Sequence, residues 1–455
     1  MRHRFFLALL AAVTGTAIRA AAPTDATAVL LIIGDQHSAY ERTAQLVAQV
    51  DRLRAGHPTL PLAILIDGDA LEYGNVVARR SAGAIDFAMF AALAQRAPTI
   101  LNLGNHEPEF YDLAETVKRI EATGVKVVSN IVNRATNQPF APAVARLQLG
   151  DHEAIVVGVT TDHLATYRIA VRPSLDLADP VVWAKRNFPG LLPSASIPIV
   201  LSHAGVRADR AMLPLVPDGT LFAGAHDHLR LVHREGRTVY VHSGSWNEFF
   251  TLAWLRRDAA GSEWEIEQVR LAPDDPADPK LAAIIRDTQA RHLTPEDRAV
   301  VGRLPQALAP AEAARFVARA ARIATGADAA FIANTTFGAG LPAGDVTRVA
   351  FDACVRFDGS LFTGEVDGAQ LRALLAAANQ DVDTPWSERQ GEFLFADGPA
   401  DPAPGRRYRI AVSDWVAHNA RRYLGPEAIA LTEQPSVRLK ATAAASLASP
   451  ESRQP

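Results

Sequence analysis

Five times between residues 28 and 228, an apolar, strand-like run ends directly on side chains that bind metal ions. Val29-Leu30-Leu31-Ile32-Ile33 runs into Gly34-Asp35-Gln36-His37, and residues 62–66 run into Asp67-Gly68-Asp69. Residues 100–103 lead to Gly104-Asn105-His106-Glu107, residues 197–201 to Ser202-His203, and residues 221–223 to Gly224-Ala225-His226-Asp227-His228. Helical periodicity fills the early intervals, over 40–53, 85–95 and 113–122. Continuous apolar strands alternating with helices predict an α/β layered domain whose sheets are covered on both faces. In such sheets ligands bind beyond the carboxyl ends of the strands, so groups far apart in sequence converge.

The residue types suit a binuclear centre. Two divalent ions about 3.5–4 Å apart need a bridging carboxylate and mixed nitrogen and oxygen ligands on either side. Asp69 is the natural bridge; Asp35, His37 and His228 complete one ion, and Asn105, His203 and His226 the other. Zn, Mn or Fe all fit this set. Taken alone, Asp35 and His37 read rather as capping or turn residues; the full set makes them ligands. Asp67 reads as a structural acid, and Glu107 either as a partner orienting a ligand or as a solvated side chain.

In order and spacing these five stretches resemble the calcineurin-like metallophosphoesterases, and with the second half of the chain they resemble the 5′-nucleotidase family within that superfamily. The resemblance implies a four-layer sandwich, two mixed sheets flanked by helices, followed by a smaller α/β C-terminal domain. It assigns Asp35, His37, Asp69, Asn105, His203, His226 and His228 as metal ligands. It also assigns His106 as the catalytic histidine that stabilises the transferring phosphoryl or protonates the leaving oxygen. The family orients that histidine with an aspartate three residues later; this chain has Glu109 there, able to make the same hydrogen bond from a backbone set slightly further away. Ala225 stands where the family usually writes glycine.

The C-terminal half departs further. Gly326 to Ala333 and the following Asn334-Thr335-Thr336-Phe337-Gly338-Ala339-Gly340 resemble the family's strand and loop, but the loop's arginine is missing. Val355-Arg356-Phe357-Asp358 replaces a Pro-Phe-Gly-Asn turn, and Val416-Ala417-His418-Asn419 replaces a glycine-rich loop. The family clamps a nucleobase between two aromatic rings, and Phe393 and Trp415 are the positional candidates. Without the arginine fork a bidentate grip on an anion is absent from that loop. The pairs Arg406-Arg407 and Arg421-Arg422 read as solvated surface, and His242 as the motif-free histidine nearest the pocket.

Residues 1–22, basic at Arg2 and Arg4 and apolar from Phe5 to Ile18, read as a signal peptide, which implies a periplasmic or secreted protein with no membrane span after cleavage. The domains expected are the metallophosphoesterase domain over 26–258, a linker and connecting helices over 259–309, the C-terminal domain over 310–440 and a disordered tail over 441–455. A single cysteine, Cys354, excludes an intramolecular disulfide, and its setting suggests a buried strand residue. A net charge of −4 gives no electrostatic footprint for a nucleic-acid polymer. The partner expected is a small phosphate ester, a nucleotide foremost, split by a metal-bridging hydroxide. The competing readings are a non-nucleoside phosphate ester, a sulfur ester on the same fold, and a non-catalytic metal-binding protein.

Overall fold

The protein is described by a computed structural model over residues 23, 25–193, 196–258, 261–380 and 384–448. The expected signal peptide and the last residues of the tail lie outside these described residues.

Two six-stranded mixed sheets form the middle of the first domain. One runs, in spatial order, Gly261–Arg270, Phe249–Asp258, Ala28–Gly34, Leu62–Asp67, Thr99–Asn102, Lys126–Val128. The other runs Arg230–Glu235, Thr238–Ser243, Leu221–Gly224, Ile197–His203, His152–Thr160, Val144–Leu149. Alternation along a strand explains the layering. Ala28, Leu30 and Ile32 pack into the core between the sheets, while Val29, Leu31 and Ile33 pack against the outer helices. Both faces are buried, so the strand reads as an unbroken apolar run rather than an alternating one.

Parallel pairing sets the strand ends side by side. Gly34 registers with Asp67, Asp67 with Asn102, and Ser202 with Gly224. The buried Asn102 joins the two sheets at this edge, donating through Nδ2 to Asp67 Oδ1 at 2.9 Å, Val159 O at 2.8 Å and Leu201 O at 3.2 Å. The loops that follow these strands therefore open into one space.

The second domain carries a five-stranded sheet, Leu394–Asp397, Ala329–Ala333, Arg407–Ser413, Ser360–Asp367, Thr432–Arg438, with the helix Pro310–Thr325 against it. Ile155, Val157 and Phe222 of the first domain share one apolar cluster with Val317, Ile332 and Phe351 of the second.

Several expected boundaries move. Gly261–Arg270 pairs along its length with Phe249–Asp258, so the first domain runs past 258 and takes in the start of the expected linker. Val300–Leu304 pairs with Gly344–Thr347, which brings the second domain's start forward of 310. The expected tail is helical from Leu439 to Ala448, because Ala443 and Leu447 bury themselves in the shared cluster. Cys354 ends a helix, Arg348–Cys354, rather than lying in a strand; the Thr347 side chain caps it by accepting from Ala350 N, and burial lifts the thiol pKa to about 12. Among the described residues no helix is long and apolar enough to cross a membrane.

Candidate metal centre

The strand-end loops leave their strands through left-handed backbone. Asp35, His37, Asp69, His226 and His228 have φ of 49°, 49°, 50°, 80° and 58°. Such conformations cost side-chain-bearing residues on the order of 1–3 kcal/mol each and persist where surrounding bonds over-determine them. Here Asp35 N–H donates to Gly68 O at 3.1 Å, His37 N–H to Asp69 O at 2.9 Å, and Trp246 N–H to Asp35 O at 2.8 Å. Gly68 (φ +68°) admits no substitute, since a Cβ there would lie 2.6 Å from His203 Nδ1 and 2.7 Å from Gly104 N. Ala225 keeps a negative φ, so its Cβ is accommodated without strain.

Two clusters result. In one, the ligand atoms of Asp35, His37 and His228 gather within 4.8 Å of one another; in the other, those of Asp69, His203 and His226 do so. His226-Asp227-His228 is a bend rather than an extended segment, which sends the two imidazoles to different clusters. His203 Nδ1–H donates to Asp67 O at 2.8 Å, which orients the ring and turns Nε2 toward Asp69 Oδ2 at 3.0 Å. Asn105 Oδ1 is buried and unpartnered among the described residues. His37 Nε2 and His228 Nε2 face each other at 2.9 Å across the first cluster, where both could serve one cation.

Protonation follows the same logic. Burial, together with neighbouring positive groups, holds His37, His226 and His228 below the usual imidazole range, in the neutral form that binds metal. Burial works against a charge on Asp69 too, but His203 and His106 outweigh it and hold its carboxyl well below the usual range; burial likewise works against a charge on His203, but Asp69 lifts it well above the usual imidazole range, a mutual attraction of opposite charges. The residues thus fit divalent ions: hard and borderline donors, buried and gathered in two groups.

Beside the clusters, His106 Nδ1 lies 2.8 Å from Glu109 Oε1. Burial disfavours its protonation, yet Glu109 and Asp69 prevail and lift its pKa to about 10. The longer glutamate reaches the ring from a short 3-10 turn, Glu107–Glu109, and also accepts from Tyr73 N–H. Glu107 is fully buried and accepts from Asp69 N at 3.1 Å, Ala70 N at 2.8 Å and Gly104 N at 2.6 Å, clamping the Asp69 loop. Asp67, bonded to Asn102, is a structural acid.

All of this opens into a cavity of about 740 Å³, lined by His37, Asp69, Asn105, His106, His226 and His228 from the first domain and by Arg356 and Trp415 from the second. Trp415 Nε1 donates to Tyr423 Oη at 2.9 Å. Phe393 is not at the cavity: it is 5% exposed, packed edge-on against Phe395 at 5.0 Å, so the expected pair of rings does not assemble. His242 is also buried, 2.5 Å from Tyr240 Oη, rather than at the pocket. Arg422 is exposed, as expected, and its guanidinium also meets Glu392 at 3.3 Å and His163 Nδ1 at 3.2 Å.

Three residues here carry no sequence motif: Glu72, Arg356 and Glu392. Glu72 lies 3.2 Å from His37 Nδ1 and 3.4 Å from His106 Nδ1 and is paired with Arg356. Glu392, from the second domain, lies 3.6 Å from His226 Nε2 and accepts from Tyr423 Oη. The sequence signal that could have found Glu72 is a lone acid directly after the apolar Ala70-Leu71.

Residues 28–230 match the calcineurin-like phosphoesterase family, and residues 294–395 match the 5′-nucleotidase C-terminal domain. A 5′-nucleotidase precursor from Thermus thermophilus is similar in structure at 18% identity and a TM-score of 0.64, over 92% of this chain and 96% of that one. A sulfate thiohydrolase from the same species has 16% identity and a TM-score of 0.66, over 93% and 94%. A 5′-nucleotidase from Candida albicans has 12% identity and a TM-score of 0.62, over 94% and 98%. At these identities the likeness is one of fold. No curated protein matches the chain.

Proposed function

We propose, on the premise that this chain belongs to the 5′-nucleotidase family of the calcineurin-like metallophosphoesterases and is a metal-dependent phosphoester hydrolase, that it is exported and cleaves 5′-nucleotides or related nucleotide esters at two divalent ions. The observation that carries this reading is the pairing of two ligand clusters with one histidine–carboxylate dyad on a single cavity wall. Asp35, His37 and His228 would hold one ion, Asn105, His203 and His226 the other, and Asp69 would touch both. When bound, the ions polarise the phosphoryl group and activate water.

The chain's own residues do the rest. His106 keeps Nδ1 on Glu109, so its Nε2, 4.0 Å from Asp69 Oδ2, holds the proton that the departing ester oxygen takes. Glu109 holds the ring in that orientation and stabilises its cationic form. Glu107 fixes the backbone of Asp69, and Glu72 braces His37 from the side away from the cluster. Trp415 offers one aromatic face for a leaving group. The basic, then apolar, stretch over 1–18 supports export.

The burial of Phe393 favours one second reading, a phosphate ester without a nucleoside. Purified protein loaded with Mn or Zn, assayed on AMP, UDP-glucose, p-nitrophenyl phosphate and bis-p-nitrophenyl phosphate, separates the two. The primary reading expects AMP turnover that Trp415→Ala weakens. Aryl ester turnover without AMP turnover, indifferent to Trp415→Ala, selects the second.

A further inference from the structure

Arg356 enters the first domain's site from the second domain. It follows the helix Arg348–Cys354, its backbone N–H bonded to Thr336 O at 3.0 Å, and its side chain is only 2% exposed although it lines the cavity. A stack orients it: the guanidinium lies 4.5 Å over the Trp246 ring, whose other contact is the ligand His37 at 5.5 Å and 26°. Gly338 makes room for that stack, because a Cβ there would meet Trp246 at 2.3 Å. The Arg356 partner is Glu72, a carboxylate it shares with His37 and His106. Gly74 N–H, at 2.6 Å, ties down the other Glu72 oxygen. Arg356 Nε makes no hydrogen bond among the described residues. A preoriented guanidinium on a side chain that lines the cavity, with its Nε unpartnered, is placed to take an anion there.

We propose that Arg356 takes a non-bridging oxygen of the substrate's phosphoryl group and thereby selects phosphomonoesters over diesters. The selection follows from oxygen count. A monoester presents three non-bridging oxygens and two negative charges, a diester two oxygens and one charge. Once the metal clusters and the His106 side are served, the oxygen left for a guanidinium exists only in the monoester. The grip missing from the Asn334-Thr335-Thr336 loop is thus supplied from a different position, the turn after residue 354. This rests on the phosphoesterase reading for its substrates, but the binding of phosphate itself does not.

The test compares wild type, Arg356→Gln and Arg356→Lys, all metal-loaded and checked for metal content. Calorimetry reads inorganic phosphate affinity, and kinetics read p-nitrophenyl phosphate against bis-p-nitrophenyl phosphate. Arg356→Gln should weaken phosphate binding and raise KM for the monoester by about tenfold or more, with the diester changed less than about threefold. Arg356→Lys keeps the charge against Glu72 but loses the fork, so about threefold to tenfold is expected, and it decides the matter if the glutamine variant does not fold. Unchanged phosphate affinity, or equal losses on both esters, overturns the proposal. If wild type turns over neither ester, the phosphoesterase reading fails, and phosphate affinity alone decides whether Arg356 is an anion site.

Discussion

In the proposed mechanism His106 donates the leaving group's proton without ligating either ion, so turnover should depend on it far more than metal binding does. Replacing it with alanine should lower kcat by about 10²–10⁴-fold and leave metal content at the wild-type level. Glu109→Gln should cost about tenfold or more, because the amide oxygen can still orient the ring but no longer supplies the charge that stabilises its cationic form. A second residue-scale prediction concerns pH. Burial raises Asp86, which accepts from Tyr40 Oη at 2.6 Å, from an ordinary carboxylate value to about 7. The fold therefore holds a proton that the unfolded chain releases. This stabilisation is complete below about pH 4 and is lost as pH rises through about 7. Thermal melts should show wild type losing about 2–3 kcal/mol between pH 5 and pH 8 from this source, a loss that Asp86→Asn lacks. The residues of the two clusters were legible in the sequence because each follows directly on an apolar run. Glu72, Arg356 and Glu392 were not, since their importance comes from contacts with residues distant in sequence that no local pattern records.

At the scale of the element, the strand-end loops do the decisive work. Their left-handed turns are unfavourable one by one and are held by bonds between neighbouring loops, so damage to one loop should reach both clusters. Gly68→Ala would place a methyl against the Gly104 backbone and His203, and it should abolish metal retention and activity together, read by metal analysis after dialysis. First-domain strands such as Ala28–Gly34 and Leu62–Asp67 follow from their apolar runs alone. Residues 348–357 do not: β-branched and aromatic residues suggest a strand, yet Thr347 caps a helix that buries Phe351 and Cys354 on one side. The amphipathic strand Gly261–Arg270 was hidden for the opposite reason, since its outward face, Glu263, Glu265 and Glu267, is polar enough to read as linker.

At the scale of the whole molecule, the two domains are one packed body. The outer face of the second sheet and the second domain share a single apolar cluster, and polar bonds cross it at Asn334 Nδ2 to Asp227 O, 2.9 Å, and Arg210 Nη2 to Trp386 O, 2.6 Å. A large apolar interface removes the freedom that domains ordinarily keep. Phe351→Ala, in the second domain's part of that cluster, should cost about 3–5 kcal/mol and lower one cooperative transition seen by probes in both domains.

The central claim is a phosphoesterase centre built for two ions, and the most direct measurement is p-nitrophenyl phosphate hydrolysis by chelator-stripped protein titrated with Mn or Zn. Activity should be absent in the stripped protein and should rise to a plateau at two equivalents bound per chain. A plateau at one equivalent, or hydrolysis that persists with no metal bound, would contradict it.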